Sequence, residues 1–301
     1  MKILVLLASY NGDKYIKQQI DSILNQESVC VDIMIFDDCS KDNTIEVLDN
    51  YNINPHVTVH KRAKGTGSAA HNFLDAIQSL SKELINSYDF IAFSDQDDIW
   101  FPNKLFEAGQ MLKKEHSSLY FSNLILWDEQ TNNKSILKKS YPQKKYDYLF
   151  EGGSAGCTYV FTTDFCLDLK NVLVKTNFIH WQYFSHDWFV YFYARVNNYK
   201  VSIDNNAYIK YRIHSDNVHG QLNKNSLFAI KERLKLVKKG WYFKHIKGFI
   251  EFTPKKSLQY KIYHLYYKNY FSRLYVLIKF NFKLMRSPKK FIKFFIISLI
   301  P

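Results

Sequence analysis

The run Phe90-Ile91-Ala92-Phe93-Ser94-Asp95-Gln96-Asp97-Asp98-Ile99-Trp100 decides the reading of this chain. Its first four residues are continuously apolar, as suits a strand covered on both faces, and it ends in three carboxylates within four positions. Such carboxylates repel one another, and a fold tolerates them when a divalent cation or a strong hydrogen-bond network neutralises them. Oxygen-only ligation suits Mg²⁺ or Mn²⁺, which commonly take one or two carboxylates plus substrate phosphates, so a nucleoside diphosphate is the natural co-ligand. The alternative is a solvated acidic turn in which Asp98 caps the next helix.

The segments before this run alternate. Ile3–Ala8 and Val31–Phe36 are buried-strand runs, and Lys14–Asn25 carries Ile16, Ile20, Ile23 and Leu24 at helical spacing. Asp42 or Asn43 opens a helix through Asn50, His56–His60 reads as a third strand, and Ala69–Leu80 as a helix. This pattern predicts an α/β fold with a Rossmann-like, mainly parallel sheet flanked by helices. Ligands of such sheets lie beyond the carboxyl ends of the strands, where Ser9–Gly12, Asp37–Ser40 and Asp95–Asp98 are expected to converge. Asp37-Asp38 offers a second carboxylate pair, able to accept from a base or ribose or to cap the following helix. No G-x-G-x-x-G follows the first strand and no G-x-x-x-x-G-K-[ST] occurs, which weighs against a dinucleotide enzyme and a P-loop NTPase. Past Trp100 the pattern is mixed: a strand at Leu119–Trp127, a Lys-rich loop from Asn132 to Lys145, small residues at Gly152–Gly156, a strand at Cys157–Thr162 and a helix from Asp187.

Ala8-Ser9-Tyr10-Asn11-Gly12, Asp37-Asp38-Cys39-Ser40-Lys41-Asp42-Asn43-Thr44 and Ser94–Trp100 together resemble the nucleotide-sugar-binding half of glycosyltransferase family 2, which has the GT-A fold. The S-D-Q-D-D-I-W form with Pro102 and Lys104-Leu105 is similar to the bacterial rhamnosyltransferase-type branch. His186-Asp187-Trp188 and Tyr211-Arg212-Ile213-His214-Ser215-Asp216-Asn217 extend the resemblance to about residues 1–220. It implies that Ser9, Tyr10, Asn11, Asp38, Arg62, Asn72, Asp95 and Gln96 bind the nucleotide sugar, although Arg62 alone also reads as part of a solvated basic loop. Asp97 and Asp98, with His214, would hold Mn²⁺ or Mg²⁺; the order of Asp97 and Asp98 is left open. Residues 63–67 depart from the family's N-x-G pattern before Asn72-Phe73.

The resemblance also implies an inverting transfer in which Asp187 acts as general base, a role typically worth about 10²–10⁴-fold. Capping of the helix after His186 is the alternative for Asp187. Trp100, Gly156, His186 and Trp188 are the expected lining of the acceptor or donor-sugar pocket; core packing and an ordinary turn are the rival readings. The donor expected from the branch is dTDP-rhamnose, with UDP-sugars open. The acceptor would be a saccharide or lipid-linked sugar, in capsule or O-antigen synthesis.

The chain has 301 residues, 47% of them hydrophobic, enough for a sizeable core and excluding disorder. The net charge of +13 is localised: residues 1–220 hold 22 Lys+Arg and 26 Asp+Glu, residues 221–301 hold 19 and 2. We therefore expect a catalytic domain over 1–222, divided at residue 100 into nucleotide-sugar and acceptor halves, and a basic amphipathic helical tail over 223–301. On one continuous helix Lys261, Lys268, Lys279, Lys283 and Arg286 share an arc of roughly 60°. Such a stripe suits peripheral attachment to an anionic membrane surface; a helical cap on the catalytic domain is the alternative. Four separated cysteines and no signal-peptide or membrane-spanning pattern fit a cytoplasmic enzyme at the inner face of the membrane. A nucleic-acid-binding protein using the tail and a nucleotide-sugar hydrolase on the same fold are the competing functions; the acidic body, without a recognition motif, argues against nucleic acid.

Overall fold

The computed structural model describes residues 1–178, 181, 184–213, 235, 237 and 239–299. They divide into two compact units, one of 1–140, 154–179 and 198–213, the other of 141–153, 180–197 and 214–301.

The first unit begins with β1 (Lys2–Ser9), α1 (Ile16–Leu24), β2 (Cys30–Asp37), α2 (Thr44–Asp49), β3 (Val57–Lys61), α3 (Ala69–Ser79), α4 (Lys82–Asn86) and β4 (Phe90–Ser94). These four strands are parallel in the order β3-β2-β1-β4. Ile3 to Leu7 of β1 are fully buried because β2 and β4 flank it and helices cover it, which explains the unbroken apolar run. In α1, Ile16, Ile20 and Ile23 form the buried stripe, and in α3 the Ser68 hydroxyl caps the helix by accepting the His71 N–H. Ser9 is level with Asp37 and Leu7 with Ser94, so the three polar loops leave the same sheet edge.

Beyond β4 come β5 (Ile99–Trp100), α5 (Lys104–Glu115), β6 (Leu119–Trp127), β7 (Lys134–Leu137), β8 (Val160–Thr162), α6 (Thr163–Val174) and β9 (Val201–Arg212). The sheet continues β4-β8-β6-β9-β5, with β7 on β6; β6–β9 is parallel and the other pairings here are antiparallel. The twelve-residue β9 is not visible as an alternating pattern because Ser202, Asp204 and Arg212 are buried polar residues, and because its register against β6 shifts on either side of Asn123.

The second unit contains a 3₁₀ turn at Asp147–Leu149 and helices α7 (His186–Val196), α8 (Trp241–Phe249), α9 (Leu258–Lys268), α10 (Tyr270–Phe280) and α11 (Pro288–Ser298). Its core is aromatic: Phe192 stacks on Phe249 with centroids 4.8 Å apart, and Phe150 packs on Tyr266 and Phe294 at 4.9 and 5.0 Å. Residues 141–153 and 184–197 share this unit with 239–299. The single basic stripe is corrected. Asn269 is extended (φ −165°, ψ 175°) and starts a new helix, its side chain accepting the Ser272 N–H. Arg286 is buried beside Asp147 and Glu151, donating to the carbonyls of Gly152 (2.7 Å) and Gly153. Among the described residues no helix is long and apolar enough to cross a membrane.

Candidate active site

The loop after β1 is held open by hydrogen bonds to its neighbours. Asn11 adopts φ 48°; its N–H donates to the Ser40 hydroxyl (2.9 Å) and its side-chain oxygen accepts the Lys41 N–H (2.8 Å). The Gly12 N–H donates to Thr44 Oγ1 at 2.7 Å. On the other side Gln96 joins this loop to the acidic run: its Oε1 accepts the Tyr10 N–H at 2.8 Å and its Nε2 donates to the Tyr10 carbonyl at 2.9 Å. A Cβ at Gly12 would overlap the Gln96 amide, so that position must be glycine for the pairing to form. Ser9 is buried, its hydroxyl directed at Asp37 Oδ1 (3.2 Å), whereas the Tyr10 ring is half-exposed. Asp37 and Ser9 thus support the loop from below, and Tyr10 is the member of the pair that faces solvent.

Asp38 is 7% exposed and grasped by the loop that precedes α3. Its carboxylate accepts from the Thr66 N–H (2.6 Å), the Thr66 hydroxyl (3.0 Å) and the Gly67 N–H (3.2 Å). A Cβ at Gly65 would come within 3.2 Å of the Asp38 carbonyl. Thr66 and Gly67 were not legible as partners of Asp38, since only the fold brings the departing stretch 63–67 back over the end of β2. Arg62 and Asn72, expected to bind the nucleotide sugar, are engaged with each other and with their neighbours in the fold. Arg62 donates to Asn72 Oδ1 at 3.0 and 2.9 Å and pairs with Asp75, while Asn72, 1% exposed, donates to the Phe36 carbonyl at 2.8 Å. Together they fasten α3 to the end of β2.

The four residues of the acidic run separate by depth. Asp95, Gln96 and Asp97 are partly exposed; Asp98 is buried, close to the Cys157 thiol and the Lys104 ammonium. Burial, with Asp97 and Asp95 adding to it, drives the Asp98 carboxyl well above the usual carboxylate range. Burial likewise brings Lys104 down to about 7 and pushes the Cys157 thiol well up. Ligand atoms of Asp95, Asp98 and Cys157 lie within 4.8 Å of one another. Asp95 and Asp97 are the partly exposed carboxylates of the run, oxygen donors of the type that Mg²⁺ and Mn²⁺ take, and Asp98 is buried.

Arg212, fully buried at the end of β9, fixes the backbone of this run. Its Nε donates to the Asp97 carbonyl (3.0 Å), it donates to Gln18 Oε1 (2.6 Å) and pairs with Glu129, and it lies 4.4 Å from the Tyr15 ring centroid and 4.7 Å from that of Trp127. Arg212 and Lys104 stand inside the motifs that carry the family resemblance, but their roles depend on burial, which a motif does not display. Trp100 is corrected from a pocket residue to a core residue: it is 2% exposed, with Lys104 Nζ 3.4 Å from its centroid. Gly156 is buried in a 3₁₀ turn, its carbonyl accepting the Tyr159 N–H at 2.8 Å.

In the second unit Ser185 is the N-cap of α7 and His186 its first residue. Asp187 is partly exposed; its Oδ1 accepts the Trp188 N–H at 2.7 Å and the Ser185 hydroxyl. Trp188 is a core residue rather than a sugar platform, 4% exposed, stacked 4.3 Å from His245 and donating to the Tyr148 carbonyl at 2.8 Å. His214 lies outside the described residues.

The parallel half-sheet, the antiparallel continuation and the acidic run at the strand ends define a GT-A-type glycosyltransferase architecture. The Staphylococcus aureus TarS structure (residues 1–349) superposes with a TM-score of 0.56 over 99% of this chain and 89% of that one at 16% identity. A Pyrobaculum calidifontis mannosyltransferase in complex with GDP-Man and Mn²⁺ superposes equally well, 0.56 over 98% and 83% at 12% identity. Residues 4–164 match Glycosyl transferase family 2. The Shigella flexneri dTDP-rhamnosyl transferase RfbG is 33% identical over 243 residues, 80% of this chain and 82% of the relative. The Escherichia coli glucosyltransferase WfgD, which acts on a GlcNAc-diphosphoundecaprenol, is 33% identical over 52% of this chain and 58% of its own length. The chain belongs to glycosyltransferase family 2, in its rhamnosyltransferase-like branch, and is a glycosyltransferase.

Proposed function

We propose that this enzyme transfers a sugar with inversion from a nucleoside diphosphate to a saccharide or lipid-linked acceptor in cell-surface polysaccharide synthesis, with dTDP-rhamnose as donor and UDP-sugars as the alternative set. The observation that carries the reading is the convergence of the Tyr10, Asp38 and Asp95–Asp97 loops on one sheet edge, with Asp95 and Asp97 left partly exposed. The likeness to RfbG supports the choice of donor.

Asp97 is the proposed principal ligand of a divalent cation, Asp95 lies nearer the ribose, and His214 completes the set. The cation, Mn²⁺ or Mg²⁺, supplies charge neutralisation for the leaving diphosphate; the Mn²⁺ in the mannosyltransferase structure is consistent with this. Asp187 is the proposed general base. As the acceptor oxygen bonds to the anomeric carbon, the bond from that carbon to the diphosphate oxygen breaks and the hydroxyl proton passes to the Asp187 carboxylate. The basic tail is proposed to hold the enzyme at the inner face of the cytoplasmic membrane.

Product analysis tests the reaction. The purified protein is incubated with dTDP-rhamnose, UDP-glucose, UDP-galactose or a UDP-N-acetyl sugar, Mn²⁺ or Mg²⁺, and a membrane-lipid extract. Sugar linked to acceptor with release of nucleoside diphosphate is the expected outcome; free sugar alone would identify a hydrolase.

A further inference from the structure

Helices on the surface of a soluble protein turn their apolar side inward. α10 does this with Val276, Leu277 and Phe280, all buried, and then places a second apolar row on the opposite side. Phe271, Tyr275 and Ile278, at i, i+4 and i+7, are 80, 48 and 61% exposed. Phe282 in the following turn is also exposed, and Lys279 and Lys283 accompany the row. α11 repeats the pattern: Phe291 and Phe294 point inward, while Ile292 and Ile296 are exposed beside exposed Lys289 and Lys293. From Phe252 to Pro301 there are 11 Lys+Arg and no Asp or Glu.

We infer that the outward face of α10 is a bilayer-insertion surface: Phe271, Tyr275 and Ile278 enter the headgroup–acyl boundary of an anionic membrane, while Lys279 and Lys283 bind lipid phosphates. This rests on the reading of the tail as membrane-attached and assigns the residues that do it. The charge pattern selects the occupant. A second copy would set two acid-free, lysine-bearing surfaces against each other, whereas an anionic leaflet complements the lysines and gives the outward apolar row a place to be buried.

The full chain, without nucleotide, is floated with vesicles of phosphatidylcholine alone and of phosphatidylcholine with phosphatidylglycerol. The wild type should float with the anionic vesicles. Phe271→Ser/Tyr275→Ser/Ile278→Ser should bind them at least about tenfold more weakly, and each of Lys279→Gln and Lys283→Gln about fivefold more weakly. Nucleotide titrations on the same variants should be unchanged, which separates failure of this assignment from failure of the glycosyltransferase donor site. If the triple variant loses its fold, Phe271→Trp replaces it: its emission should shift to the blue and be quenched by brominated lipid on adding anionic vesicles. Absence of flotation, equal flotation of wild type and triple variant, an unquenched Trp, or a concentration-dependent dimer or oligonucleotide complex that forms while vesicles are ignored would each overturn the assignment.

Discussion

The side-chain amide of Gln96 pairs with both backbone groups of Tyr10, accepting its N–H at 2.8 Å and donating to its carbonyl at 2.9 Å. One residue of the acidic run thereby sets the position of the loop after β1, which Asn11 in turn ties to the Ser40 hydroxyl and the Lys41 N–H, so all three loops of the candidate donor site are hydrogen-bonded together. Gln96→Ala should weaken dTDP or UDP binding and cost about 1 kcal/mol of stability, the amide being partly solvated. Gly12→Ala should act in the same direction, because its Cβ displaces the Gln96 amide. Nucleotide titration and denaturant unfolding of both variants check this.

Asp38 serves the fold as well as the proposed nucleoside contact. Asp38→Ala removes the acceptor for Thr66 and Gly67 and should destabilise by about 1–3 kcal/mol. Thr66→Val keeps the shape and removes one of these bonds, so it should cost about 1 kcal/mol and leave nucleotide binding intact. Comparing unfolding midpoints with binding constants for the pair separates the two roles.

Arg286 ties the last helices to residues 147–153. Arg286→Ala would take the donor from the Gly152 and Gly153 carbonyls and leave Asp147 to Arg195 (3.1 Å) and Glu151 to Lys290 (2.8 Å), at about 1–3 kcal/mol. Removing residues 286–301 should therefore yield a misfolded or aggregated protein, read by gel filtration and circular dichroism.

His245 should make the second unit acid-sensitive. Its Nδ1–H donates to the Trp241 carbonyl (2.8 Å) and its Nε2 accepts the Ser185 N–H (3.1 Å), so the folded ring is neutral, and burial brings it down to about 3. The unfolded chain protonates this group below about 6.5. Between pH 6.5 and 3 the unfolded state binds the extra proton, so stability falls with decreasing pH by up to about 1.4 kcal/mol per unit and this contribution is flat above 6.5. Thermal unfolding from pH 7.5 to 4.5 should show the slope, and His245→Gln should reduce it.

The parallel half of the sheet was legible because its strands are buried on both faces and its helices are amphipathic: Ile3–Ala8, Val31–Phe36 and Phe90–Phe93 differ from the observed strands by at most one residue at each end, and Leu119–Trp127 matches. β5 is two residues long and β9 carries buried polar groups, so neither yields a periodic signal. At the candidate site, residue types at the strand ends located the loops. Depth could not be read from them: nothing in S-D-Q-D-D-I-W distinguishes the buried Asp98 and Trp100 from the partly exposed Asp95 and Asp97. In the tail, helical spacing alone did not reveal the break at Asn269 or that Arg286 faces inward.

The central claim is a metal-supported nucleotide site at Asp95–Asp97, and calorimetric titration tests it most directly. Wild type and Asp97→Ala are titrated with dTDP, UDP, GDP and ADP in the presence and absence of Mn²⁺ or Mg²⁺. The account predicts that one pyrimidine nucleotide binds, that the cation tightens its binding, and that Asp97→Ala abolishes the cation's effect while the protein remains folded. No binding of any nucleotide by folded wild type, or binding indifferent to both cation and Asp97, would contradict it.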